Sequence, residues 1–149
     1  MKITVPDLTK DYPRSPRERL GGFVHLARMI DKARAKGGGM LGEYLYPCPL
    51  DESLLEFIGI DGEAFQEVAE ERGDAEVVSW LQKNRRGHTP DEIEAWSLAF
   101  LNRRPQDEEG MKRFIKIRDR VAPNRKDVTA WVDLLDLDEG REVPPRPLS

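Results

Sequence analysis

The 149-residue chain predicts an all-α fold, a compact single-domain array of about six helices with a Gly/Tyr/Pro-rich loop after the first long helix. Two observations carry that expectation. Apolar residues recur at helical spacing through most of the chain, and the stripes are punctuated by cap residues at their starts and by glycine or proline at their ends.

The first helix is expected to open at Ser15, with Pro16 in the first turn and Glu18 placed to complete a capping box. Leu20, Phe23, Val24, Ala27 and Ile30 form one stripe, and Leu26, Met29 and Ala33 widen it beyond what one packing layer covers, so this helix is read as central. Gly21 and Gly22 are costly in a helix and mark a close approach or a first-turn irregularity. Residues 1–14, with Pro6 and Pro13, form an extended lead-in that Tyr12 is expected to anchor. Gly37, Gly38 and Gly39 stop the first helix, and LGEYLYPCPLD comes next as an irregular loop.

Asp51, Asp61, Asp74, Asp107 and Asp127 are each placed to cap a helix, and Thr89, Pro90 and Glu92 repeat the cap, proline and reciprocal acid pattern. The helix after Asp107 is expected to bury Met111, Phe114, Ile115, Ile117 and Val121, with Arg118 on the same stripe. The first helix is expected to pack against this one and against the Trp96 helix. Residues 143–149 read as a proline-rich surface tail.

Composition bounds the function. A hydrophobic content of 38% and a charged content of 35% suit a soluble globule, and no apolar run approaches a spanning length, so no membrane is expected. The single Cys48 excludes an internal disulfide framework and, with no apolar leader, points to a bacterial cytoplasmic protein. Prolines on both sides of Cys48 point to a structural rather than catalytic thiol. His25 and His88 are too far apart in sequence to give local metal-ligand spacing, so no metal is expected.

Charge is uneven. Residues 50–82 carry ten acidic side chains against one basic, and residues 83–126 carry twelve basic against seven acidic. A net charge of -4 and the absence of a nucleic-acid motif favour pairing within the chain or between protomers over nucleic-acid binding.

One polar constellation stands out. Arg28, Asp31 and Arg34 fall three residues apart on the first helix, so one carboxylate can meet two guanidinium groups. Tyr44 and Tyr46 in the adjoining loop can cover apolar surface while their hydroxyls reach a charged partner. Arg103 and Arg104, at the end of the Trp96 helix, complete a candidate anion clamp. The plain alternative is a charge network that closes a core or a homodimer seam.

Separated motifs, DLTKDYPRSPRERLGG, ARMIDKARAK, LGEYLYPCPLD, LEFIGID, EIEAWSLAFLNRRP and DVTAWVDLLDLDEGR, together resemble the bacterial domain-of-unknown-function family DUF5069 across nearly all of residues 7–142. The resemblance implies a stand-alone small bacterial domain, and it carries no established catalytic residue, cofactor or substrate onto this chain. The leading functional expectation is a non-catalytic small-anion or metabolite binding or accessory protein using Arg28, Asp31, Arg34, Tyr44, Tyr46, Arg103 and Arg104. An enzyme acting on an anionic substrate, with Asp31 or Tyr44 as acid or base, ranks lower because no nucleotide loop, zinc motif or nucleophile elbow is present. A structural or homodimeric interaction protein is the third reading.

Overall fold

The computed structural model describes residues 3–146 and, among them, seven α-helices with no strand beyond an isolated bridge between Leu20 and Phe23. The helices are α1 Leu26–Gly37, α2 Pro49–Ile58, α3 Gly62–Glu71, α4 Asp74–Asn84, α5 Pro90–Leu101, α6 Glu108–Val121 and α7 Trp131–Asp138. The chain divides into two compact units, Met1–Glu94 and Ala95–Ser149.

In the first unit α1 is buried on almost every side, from Leu26 to Ala35 with Asp31 as the partial exception. Its central position is as the broad stripe predicts. Within this unit its main helix partner is α3. Fully buried Met29, Ile30, Leu54, Ile58, Phe65, Ala69 and Val77 make the core, each burial of a large side chain contributing about 1.5–3 kcal/mol.

The start of α1 also differs from expectation. Ser15 makes a local turn instead, its Oγ accepting from Arg17 N at 3.1 Å and its carbonyl from Glu18 N at 3.1 Å. Gly21 and Gly22 then adopt φ of 58° and 87°, and Leu20 and Phe23 exchange backbone hydrogen bonds of 2.9 and 3.0 Å. Two consecutive left-handed residues are what a two-residue reversal of the chain requires, so the glycines make a hairpin turn and the helix begins only after it. Gly21 also lies against α4, where a Cβ would sit 2.8 Å from Val78 Cγ1.

Buried Leu8 anchors the lead-in by donating its N–H to Met40 O at 2.9 Å, whereas Tyr12 is 59% exposed. Asp61 and Asp107 cap α3 and α6 as expected, and Thr89 and Glu92 form the reciprocal box, with Thr89 N donating to Glu92 Oε1 at 2.8 Å and Glu92 N to Thr89 Oγ1 at 3.1 Å. Three caps shift. Cys48 rather than Asp51 is the N-cap of α2, Gly73 rather than Asp74 that of α4, and Ala130 rather than Asp127 that of α7. Asp127 is instead occupied by the Arg125 guanidinium through two bonds of 3.0 Å.

In the second unit Phe114, Val128 and Leu134 form a core edged by Ile117, Trp131 and Leu137, with Phe114 and Trp131 edge-to-face at 5.1 Å. Helix α6 turns Gly110, Phe114 and Ile117 inward, which leaves Met111 and Ile115 exposed at 44% and 37%. Arg118 lies on the inward side and donates to Val128 O at 3.0 Å. The described part of the expected tail is tied down. Val143 is buried, and Arg146 binds Asp133 at 2.7 Å, Leu101 O at 2.6 Å and Asn102. Residues 147–149 of that tail lie outside the described residues.

Candidate functional site

The residues singled out in the sequence serve different purposes in the structure. Asp31 is held by Arg14 of the lead-in, whose backbone N, Nε and Nη2 reach its carboxylate at 2.9, 3.1 and 3.1 Å. The same guanidinium reaches Asp74 at the start of α4 at 2.8 Å, and Arg34 Nη1 meets Asp74 at 3.1 Å. Arg34 also donates to Ala69 O at 2.9 Å and Arg72 O at 2.8 Å, which caps carbonyls at the C-terminal end of α3. These bonds use both edges of each guanidinium, so the network clasps the lead-in, α1, α3 and α4 together. Arg14, absent from the sequence-based set, is its centre. Its position in a proline-flanked lead-in, 17 residues from Asp31, left no local spacing to reveal it.

Buried Arg28 lies over the Tyr44 ring at 5.6 Å and donates to Arg14 O at 3.3 Å, so the expected approach of helix and tyrosine loop is present. Tyr46 is buried, donates its hydroxyl to Gly62 O at 2.8 Å and accepts Lys36 Nζ on its carbonyl at 3.0 Å. Burial and the nearby carboxylates of Asp51 and Asp61 push its hydroxyl pKa upward, so it remains a protonated donor. Arg103 and Arg104 belong to the second unit, where their backbone carbonyls accept from Trp131 N and Gln106 Nε2, both at 3.0 Å.

A deeper constellation lies under the tyrosine loop. Lys32 of α1 places its Nζ 2.6 Å from Asp51 Oδ2 and 3.1 Å from Cys48 Sγ. His25 Nε2 stands 2.7 Å from Asp51 Oδ1, and Cys48 N donates to Asp51 Oδ2 at 2.9 Å. His25 and Asp51 are fully buried and Lys32 is 3% exposed. The signal for this cluster was available in principle. A helix central enough to be buried all round must also bury Lys32, and a buried ammonium requires an anion. Asp51, read as a simple cap, is that anion.

His25 holds the cluster from an uncommon backbone conformation, the N-cap of α1 at φ 69°. Desolvation lowers its pKa despite the adjacent carboxylate, so at neutral pH the ring is neutral and donates Nε2–H to Asp51. Burial alone would raise the pKa of Asp51, but the hydrogen bonds from His25 and Lys32 and the charge of Lys32 reverse this and keep it ionised, well below the usual carboxylate range. Both shifts are downward, so the unfolded chain binds more protons between each folded value and the ordinary values of 6.5 and 3.8. Stability therefore falls as pH drops below 6.5 through His25 and again below 3.8 through Asp51. The melting temperature is expected to decline from pH 7 to pH 5, and this first decline should be absent from His25→Asn; a flat wild-type profile would contradict the assignment.

Beside the cluster is an open cleft of about 750 Å³, within the first unit. Tyr46 and Pro47 line it from the tyrosine loop, Glu52, Leu55 and Glu56 come from α2, and Gly62, Glu63 and Gln66 come from α3. Lys36, Asp61 and Arg86 complete its charged lining. Of the residues expected to bind ligand, Tyr46 alone reaches it. The cleft residues are spread over 51 positions from Lys36 to Arg86, so no single stretch of sequence announces them.

Among the described residues no helix is long and apolar enough to cross a membrane. No curated protein matches the chain. The family model described as Domain of unknown function (DUF5069) matches residues 10–141, and with that span covering most of its length, the chain belongs to the DUF5069 family.

Proposed function

We propose that the protein is a non-catalytic binder of a small polar metabolite, with the cleft between α2 and α3 as its site. The observation that carries this reading is the cleft's size and charge. About 750 Å³ falls in the range of small-molecule sites, and the lining sets the cations Lys36 and Arg86 among the carboxylates of Glu52, Glu56, Asp61 and Glu63. Four carboxylates against two cations suit a ligand bearing positive charge as well as an anionic group better than a simple anion. The arginines that sequence spacing assigns to an anion support this relocation, since Arg34 is occupied by Asp74 and two carbonyls. Residence in a bacterial cytoplasm is part of the same proposal, supported by a single free thiol.

A thermal-shift panel of amino acids, polyamines, nucleoside monophosphates and sugar phosphates tests it. A compound present at a hundred times its Kd stabilises by about 2.7 kcal/mol, a readily measured rise in melting temperature. The expected result is a rise with amino acids, lost in Arg86→Gln and in the double variant Glu52→Gln with Glu56→Gln. These side chains are at least partly exposed, so the ligand-free melting temperature should change little. No shift with any class, or a shift that survives both variants, would overturn the proposal.

A further inference from the structure

We propose that Cys48 and Lys32 are an oxidation-sensitive pair, in which peroxide oxidises the Cys48 sulfur and the Lys32 amine captures it as a reversible sulfur–nitrogen bond. The inference is independent of the metabolite cleft. It starts from the 3.1 Å separation of Lys32 Nζ and Cys48 Sγ, a contact already close to the distance at which a bond begins to form. Asp51 fixes Nζ from the other side at 2.6 Å, and Lys32 is only 3% exposed, so the amine has little freedom to leave the sulfur. Asp51 also fixes the Cys48 backbone by accepting its N–H at 2.9 Å. Cys48 itself is partly exposed, which admits a small oxidant. It is the chain's single cysteine, so an oxidised sulfur has no second thiol in the same molecule to resolve it.

The chemistry balances with peroxide as the named oxidant. The Cys48 thiolate attacks one peroxide oxygen, the O–O bond breaks, and the departing hydroxide takes up a proton as water. Sulfur loses two electrons and becomes a sulfenic acid. Lys32 then gives up one ammonium proton to solvent, and its nitrogen lone pair attacks the sulfur. The S–O bond breaks, hydroxide leaves as water with a second proton from Nζ, and the S–N bond is formed. The sum is one peroxide consumed, two waters released and two hydrogens lost from the protein. A thiol reductant reverses the oxidation by attacking the sulfur and returning the amine.

Two features make this outcome chemically distinct from ordinary thiol damage. The product lacks oxygen, and it removes the side-chain amine that trypsin recognises at Lys32. Intact-mass and peptide mapping of the full chain after hydrogen peroxide therefore test it directly. The expected result is a mass lower by two hydrogens, loss of tryptic cleavage after Lys32, and a crosslinked peptide pair containing residues 32 and 48, all restored by dithiothreitol. Cys48→Ser should abolish the change. Lys32→Arg, which keeps the charge on Asp51 but lacks the amine, should instead carry Cys48 on to sulfinic acid. Wild-type protein whose Cys48 ends as sulfinic or sulfonic acid, as a disulfide between chains or unmodified, with Lys32 still cleaved, would overturn the proposal. So would the same two-hydrogen loss in Lys32→Arg. The wild-type peptide map decides the matter even if a variant fails to fold.

Discussion

Replacing Asp51 with alanine is expected to destabilise the first unit by about 3–5 kcal/mol, the range for stripping one partner from a buried ion pair. The carboxylate has no exposed surface and accepts from His25 at 2.7 Å, Lys32 at 2.6 Å and Cys48 N at 2.9 Å. Without it, an ammonium that is only 3% exposed faces a thiol alone, and the start of α2 loses the reciprocal half of its capping box. Urea unfolding measures the total, and hydrogen exchange at α1 and α2 amides localises it. Asp51→Asn should fall between alanine and wild type, because it keeps the shape but not the charge. A loss under about 1 kcal/mol for the alanine variant would mean that Lys32 finds water or another anion on its own, contrary to the cost of burying such a group.

The second large effect is expected at Arg34. Its guanidinium caps Ala69 O and Arg72 O and meets Asp74, and the residue is 8% exposed. Arg34→Ala leaves two carbonyls short of a donor, at roughly 1–3 kcal/mol for each that stays buried. The expected total is about 2–4 kcal/mol, measured by denaturant unfolding, with faster hydrogen exchange at the C-terminal turn of α3. Arg34→Met should recover some packing and none of the capping. A clamp for an external anion would behave differently, since removing it would leave the ligand-free protein nearly as stable as before.

Local chemistry was legible where the residues that decide it are neighbours. Thr89 and Glu92 form the box that their spacing predicts, and Asp61 and Asp107 cap α3 and α6. The same reasoning misplaces the start of α1 because Ser15, Pro16 and Glu18 carry a helix-start pattern into two residues with positive φ. A cap signature specifies only the first turn, and Gly21 and Gly22 set the path of the chain beyond it. The inward side of α6 escapes sequence reasoning on different grounds. Met111 and Ile115 are as apolar as Ile117, and only the position of Val128 and Leu134 selects the Phe114 side.

The candidate site was less legible than the fold. Arg28, Asp31, Arg34 and Tyr44 do stand in a polar region around α1, but Arg14 and Asp74 supply the partners from 17 residues before and 43 residues after Asp31. His25 and Lys32 likewise meet Asp51 across separations of 26 and 19 residues. Helical spacing reports which side chains share a face, and the identity of the groups opposite them is set by chain reversals that have no period.

The left-handed backbone at His25 narrows the routes by which this position can change. Glycine would accept the torsion and lose the imidazole, while most larger residues that could offer a donor would resist a φ of 69°. Asparagine tolerates the torsion but has a shorter reach toward Asp51. A single-step replacement therefore has to surrender either the turn into α1 or the bond across to α2. Drift at position 25 should proceed together with compensating change at position 51, so a library randomising both codons should yield folded pairs that neither single-site library contains.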